Sequence, residues 1–343
     1  MKKIGNVLYV TSPEAYLALE GDAIVISIED KGKTKIPLLN LDAIFCFTYL
    51  GISPALMGAC VERKIGLTFL TPNGRFLANV GGSIRGNVLL RKHQFTVAES
   101  ENLSLTIAKN MVLAKIYNQR KVIERTIRDH NLVVDVNRLT YVSAKVKENL
   151  VSVKDAASTE ELIAIEGFVA KNYFSCFDEM ILQQKPEFSI NGRSRRPPLD
   201  RMNALLSFLY VLLTNETKSA LEGVGLDPFV GFLHKDRPGR PSLALDVMEE
   251  FRPLLCDRLA LNLVNRRQID SSGFLIKETG AVLMDDDTRK KVLVAWQDRK
   301  KQEIVHPFLK EKVPYGLLPH VQSLLLSRHL RGDLDAYPPF FME

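Results

Sequence analysis

An α+β protein is predicted: a small N-terminal β-sandwich-like domain over residues 1–82, then a larger, mostly α-helical domain over residues 83–343. Three observations predict it. Apolar residues recur with a period of two over the N-terminal stretch and with a period of about 3.6 beyond it. Turn residues cluster in that first stretch, at Glu20-Gly21-Asp22, Lys31-Gly32 and Pro72-Asn73-Gly74. The pair Gly81-Gly82 falls where the period changes and reads as a hinge.

The strands come first. Asn6–Val10, Ala23–Ile28, Lys33–Leu38, Ile44–Phe47, Leu67–Leu70 and Arg75–Val80 are short, rich in Val, Ile and Phe, and bounded by turns. Asn73-Gly74 between two apolar runs is a hairpin signal, because both residues tolerate positive φ. One helix interrupts the strands: Ser53 caps it, Pro54 suits its first position, and it runs to about Lys64.

Beyond the hinge, Leu105, Ala108, Val112, Ile116, Ile123 and Ile127 form the apolar stripe of a helix that reaches His130. Lys109, Lys115, Arg120, Lys121, Arg125 and Arg128 are assigned to its other faces. Further helices are expected at about Ser158–Phe177, Arg201–Leu221, Leu243–Asn265, Thr288–Lys301 and Tyr315–Arg331. Gly192–Pro198 and Lys235–Pro241 read as basic loops, and the residues after Gly332 as a tail.

The formal net charge of +6 suits a nucleic-acid partner, yet enzymes of small substrates are often as basic. Cys46, Cys60, Cys176 and Cys256 form no CxxC pair, which argues against a zinc site or a disulfide framework and for free thiols in a reducing compartment. The N-terminus begins like a signal peptide, but Glu14 and alternating polar residues interrupt it. No apolar run reaches the roughly 18 residues of a membrane helix, so a cytoplasmic protein without a membrane partner is expected.

Three elements could carry chemistry. Ser158 with Glu161 three positions on is a capping box, and Leu162, Glu166, Val169 and Tyr173 then share one helix face. A carboxylate in that stripe must be paired, protonated or metal-bound, unless Glu166 sits at the edge and reaches water. His234 ends a turn-rich connection just before the basic loop, where a surface or structural histidine is the competing reading. Asp246, Glu249 and Glu250 lie one turn apart on a helix that Ser242 can cap, with Leu245, Met248 and Phe251 on another face. The competing reading there is an acidic cluster complementing the helix dipole. Taken together, two carboxylates and an imidazole without a thiol suit Mg²⁺ or Mn²⁺ and leave positions open for a phosphate oxygen and a nucleophile. Spacing alone does not bring them together.

Five stretches carry a resemblance. They are SIRGNVLLRKHQ (83–94), IEGFVAKNYF (165–174), RRPPLDRMNALLSFLYVLL (195–213), GVGLDPFVGFLH (223–234) and SLALDVMEEFRPLL (242–255). In this order they resemble the motifs of the CRISPR-associated integrase (endonuclease) that inserts new spacers. The resemblance implies that Glu166, His234 and Glu249 are catalytic and share one Mg²⁺ or Mn²⁺, with Asp246 an auxiliary acid. Ligation of one ion requires the three to meet within about 5 Å. It also implies an N-terminal dimerisation domain, a helical catalytic domain, and joining of the 3′-OH ends of captured DNA into the repeat array. The implied partners are double-stranded DNA (prespacer and CRISPR repeat), a second copy of the chain, and a small ferredoxin-like adaptation protein completing a heterohexamer. Arg85, Arg91, Lys92, Arg193, Arg195, Arg196, Lys235, Arg237 and Arg240 are candidate phosphate contacts, each with a solvated surface charge as its competing reading. A metal-dependent nuclease on branched or single-stranded nucleic acid, or a non-catalytic DNA-binding scaffold, are the alternatives.

Overall fold

A computed structural model of the chain describes residues 6–12, 14–29, 32–47, 50–63, 65–71, 76–81 and 88–342. The period-two segments pair as two sheets. Strands β1 (Asn6–Val10), β5 (Leu41–Cys46), β6 (Gly66–Leu70) and β7 (Phe76–Val80) form one, in that order. β1 and β6 both run parallel to β5, and β7 is antiparallel to β6. Strands β2 (Ala15–Glu20), β3 (Ala23–Ile28) and β4 (Gly32–Pro37) form an antiparallel meander. The β2–β3 turn is Gly21-Asp22, and Gly21 takes the positive φ of 59° that only such residues accept cheaply. Helix α1 (Pro54–Glu62) has Pro54 at its start, and the Ser53 side chain accepts from the Leu56 N–H, as the sequence predicts. Leu17, Ile24, Ile44, Leu56, Cys60 and Leu67 are buried in one cluster, so both sheets and α1 share a core.

These elements belong to one of two compact units. The first takes the chain up to Arg85 together with Met284–Gln297; the second takes Gly86–Leu283 and Asp298–Glu343. Strand β2 was not among the expected strands: Glu14 stood out as an interruption, but Ala15 and Leu17 are buried and alternate with exposed or half-buried residues. The Asn73-Gly74 hairpin, Gly82 and Arg85 lie outside the described residues.

The second unit is helical: α2 (Val88–Glu99), α3 (Glu101–His130), α4 (Val136–Asp155), α5 (Thr159–Ser175), a short α6 (Lys185–Phe188), α7 (Arg201–Val224), α8 (Ser242–Met248) and α9 (Arg258–Asn265). Helix α10 (Asp286–Lys301), most of which belongs to the first unit, comes next in the chain, and α11 (Leu318–Leu330) of the second unit follows. α3 packs against α4, α5 and α8, and α7 against α8 and α11. The α4 segment escaped the sequence reading, although Leu139, Val142 and Val146 are buried at helical spacing and the Asp135 side chain accepts from the Arg138 N–H. Among the described residues no helix is long and apolar enough to cross a membrane.

Two sequence expectations are corrected. The helix over Leu243–Asn265 is not continuous: α8 ends at Met248, and Arg252–Asp257 is a π-helical turn before α9. Pro253 has no N–H to donate, so the regular ladder breaks there, and the Arg258 N–H reaches the Pro253 carbonyl. The residues after Gly332 are not a loose tail. Tyr337, Phe340 and Met342 are buried, and the Phe340 and Met342 N–H groups donate to Glu250 and Asn118, each at 2.7 Å.

Candidate active site

Helix α5 delivers Glu166. The Ser158 side chain accepts from the Glu161 N–H, as the capping box requires. Leu162, Val169 and Tyr173 are buried along the stripe that carries Glu166. The Glu166 carboxylate neither stays alone nor points only to water: the Lys115 ammonium of α3 donates to its Oε1. The same ammonium is 2.6 Å from Glu249 Oε2. The sequence pattern puts Lys115 on a face other than the apolar stripe, but its side chain is 4 % exposed. It lies three positions after Val112 and seven after Ala108, and so belongs to the buried face.

Glu249 follows α8 directly, and its side chain is 8 % exposed. The other side of its carboxylate is held by Arg252, which donates to Oε1. Burial alone would push this carboxyl up, but Arg252 and then Lys115 outweigh it and hold it at about 2. Arg252 is itself braced. Its guanidinium lies 4.1 Å from the centroid of the Tyr210 ring, and the Tyr210 hydroxyl donates to Asp257 at 2.6 Å. Tyr173 donates to the other Asp257 oxygen at 3.1 Å. The π turn thus places Arg252 and Asp257 at its two ends in one buried polar chain. Glu249, Asp246 and Glu250 are all buried, so they are not a solvent-facing cluster at a helix end.

His234 and Asp246 form a second pair. The Asp246 carboxylate is fully buried and accepts four hydrogen bonds. The N–H groups of Phe232 and Leu233 reach Oδ2 at 2.7 and 2.9 Å. The His234 N–H and ring Nδ1 reach Oδ1 at 3.1 and 2.6 Å. This folds the Gly231–His234 segment around one carboxylate. Gly231 permits it, because a Cβ there would meet Asp246 Oδ2 at 2.7 Å and Ser242 Cβ at 2.8 Å. Ser242 does not cap α8; it is the first helical residue, and Arg240 Nε donates to its hydroxyl. Burial lowers the His234 pKa, but the hydrogen bond and charge of Asp246 and the charge of Glu249 prevail and raise it. A hydrogen on Nδ1 directed at Asp246 leaves the Nε2 lone pair of the neutral ring to accept a hydrogen bond or ligate an ion.

Among the described residues no group of three His, Cys, Asp or Glu side chains is arranged to hold a metal ion. The structure brings Glu166 and Glu249 together on Lys115, and His234 together with Asp246. The residue types still fit a hard divalent ion. Two carboxylates already converge on one cation, a carboxylate anchors the imidazole from behind, and buried Glu249 Oε2 makes no aligned hydrogen bond despite its ion pair.

Beside the carboxylates lies a cavity of about 250 Å³, lined by Lys115, Lys171, Arg193, Arg195 and Arg252 among others. His234 opens onto a different cavity of about 400 Å³, with Phe95, Glu99, Glu160 and Lys235 in its wall. The predicted phosphate contacts divide accordingly. Arg195 reaches the first cavity and is exposed, as are Lys92, Arg196 and Arg237. Arg193 is spent on Asn203, Ser207 and the Tyr210 ring. Arg91 pairs with Asp227, Lys235 with Glu160, and Arg240 donates to the Lys235 carbonyl. Lys115, Asp257 and Tyr210 escaped the sequence reading; for Lys115 the signal was present, as an opposite charge in the stripe facing that of Glu166.

The family model described as CRISPR associated protein Cas1 matches residues 8–298. The chain is 49% identical over 340 residues to CRISPR-associated endonuclease Cas1 1 of Chlorobaculum tepidum, covering 99% of each chain. It is 48% identical over 351 residues to CRISPR-associated endonuclease Cas1 2 of Rhodospirillum rubrum, again covering 99% of each. A casposase bound to integration product shares the fold at TM-score 0.84 and 20% identity, over 97% of this chain and 93% of the other. So does part of a Cas6-RT-Cas1–Cas2 complex, at TM-score 0.81 and 21% identity, over 100% of this chain and 37% of the other. A family match across most of the sequence, with near-half identity to full-length relatives, establishes that the chain belongs to the CRISPR-associated Cas1 family.

Proposed function

We propose that the chain is a divalent-metal-dependent integrase of CRISPR adaptation, joining the 3′-OH ends of captured duplexes to phosphodiesters at the repeat. The observation that carries this reading is the convergence of Glu166 and Glu249 on one cation beside a basic cavity. Glu166, Glu249 and His234 would hold Mg²⁺ or Mn²⁺, and the bound ion supplies Lewis acidity at the scissile phosphate. The protein's own groups do the rest. Arg252 fixes the Glu249 carboxylate, and Asp246 sets the orientation and tautomer of His234. Lys171 and Arg195 offer phosphate contacts next to the carboxylates. In each joining step a new 3′-O–P bond forms as the repeat's own 3′-O–P bond breaks, so no covalent enzyme intermediate is needed.

Two joining events at opposite ends of a repeat require two sites a fixed distance apart, which a homodimer supplies. We assign dimerisation to the N-terminal domain (residues 1–82) and catalysis to residues 83–343. A small ferredoxin-like adaptation protein would complete a heterohexamer; that a neighbour of similar fold was solved within a Cas6-RT-Cas1–Cas2 complex supports a protein partner. The test is strand joining to repeat-containing plasmid with duplexes ending in 3′-OH or in a blocked 3′ end. Joining by the first alone is expected. Equal cleavage with both and no joined product would make the chain a nuclease instead.

A further inference from the structure

The Lys115 ammonium occupies the one position where two of the candidate ligands meet. It comes from the middle of α3, its side chain is 4 % exposed, and its contacts are Glu166 Oε1 and Glu249 Oε2. Holding a buried amine against one buried and one half-buried carboxylate is favourable only while they neutralise one another. A divalent ion bound to the same oxygens would face a cation within a few ångströms, so the two compete for one place. A displaced ammonium has a destination in the cavity that Lys115 already lines. That cavity is walled by Lys171, Arg193, Arg195 and Arg252, and a further cation is welcome there only when an anion fills it.

Resting on the proposed metal site, we infer that Lys115 is a place-holding cation: it neutralises Glu166 and Glu249 until a divalent ion arrives, and then turns into the basic cavity to hold a DNA phosphate. Metal and phosphate binding are thereby coupled. Each is weak without the other, because the lysine leaves the carboxylates readily only when a phosphate receives it, and the coupling is reciprocal. The arrangement favours metal loading on substrate rather than in the free protein.

The experiment is Mn²⁺ binding, read by electron paramagnetic resonance, for the full-length wild type and for Lys115→Met and Glu166→Gln, with and without a short duplex. Removing the competitor removes its penalty on the free protein, so Lys115→Met should bind Mn²⁺ about tenfold more tightly or better without DNA. Its affinity should gain less from added duplex than that of the wild type. If Lys115→Met binds Mn²⁺ no more tightly while Glu166→Gln loses it, the lysine's role is refuted and the metal site stands. If Glu166→Gln binds as the wild type does, the metal site itself is wrong and the inference falls with it. Should Lys115→Met fail to fold, acetylation footprinting of the wild type decides. Without DNA and at saturating Mn²⁺, which displaces the lysine by mass action while no phosphate shields it, labelling of Lys115 should rise severalfold over chelator, with the other lysines unchanged; constant or lower labelling overturns the proposal.

Discussion

Asp246→Asn separates positioning from bulk stability. The wild-type carboxylate is fully buried and accepts four hydrogen bonds, two at each oxygen. An asparagine keeps one oxygen: its NH₂ meets two backbone N–H donors if turned toward Phe232 and Leu233, and one if turned toward His234, whose ring can switch tautomer and accept through Nδ1. One or two hydrogen bonds to a charged acceptor are then lost, at roughly 1.5–3 kcal/mol each, so about 1.5–6 kcal/mol of stability is at stake. That is a large share of the roughly 5–15 kcal/mol that holds a domain together. The second readout is specific to His234. Burial lowers its pKa, and Asp246 does most to raise it, with Glu249 adding to that, so in the variant the pKa falls below that of the wild type. Urea unfolding gives the first quantity and histidine NMR titration the second. A loss under about 1 kcal/mol with an unmoved His234 titration would refute the carboxylate's anchoring role.

Other outcomes follow from the same geometry. Gly231→Ala drives a Cβ to 2.7 Å from Asp246 Oδ2 and should cost about 1–3 kcal/mol in urea unfolding; an unchanged midpoint would mean the loop has room. Glu250 is pushed up to about 8, mainly by burial, from an ordinary 4.5. Its folded pKa is raised, so its contribution is complete below 4.5 and is lost as pH rises through about 8. Melting temperatures of the wild type should therefore fall across that window relative to Glu250→Gln; parallel curves would count against it. Protonated His234 cannot ligate, and its pKa is raised, so Mn²⁺ affinity should climb with pH around a midpoint above the ordinary value of about 6.5. A midpoint below that value, or the same acid limb in His234→Asn, would place the proton elsewhere.

What was legible in the sequence was local or periodic. Ser53 and Ser158 cap their helices because the partner N–H lies three positions away. Glu166 betrayed itself as a carboxylate within an apolar stripe. Lys115 offered the same signal in reverse, but a lysine among five other basic residues was read as surface, and its acceptor is 51 positions distant. The break at Pro253 was visible as a residue, not as a π turn, because the helical period on either side reads continuously. Asp246 was legible as an acid, yet its task is to gather backbone N–H groups of a distant loop, which no side-chain pattern reports. The docked C-terminus has no period at all; buried aromatic anchors hold it, and tertiary contacts alone show that.

The most direct test of the central claim is anomalous diffraction from the wild-type protein crystallised with Mn²⁺ and a short duplex. One peak per chain is expected within about 2.0–2.3 Å of a Glu166 oxygen, a Glu249 oxygen and His234 Nε2. Lys115 Nζ is expected to have withdrawn from both carboxylates. A peak elsewhere, or no peak with Lys115 still bridging Glu166 and Glu249 at saturating metal, would contradict it.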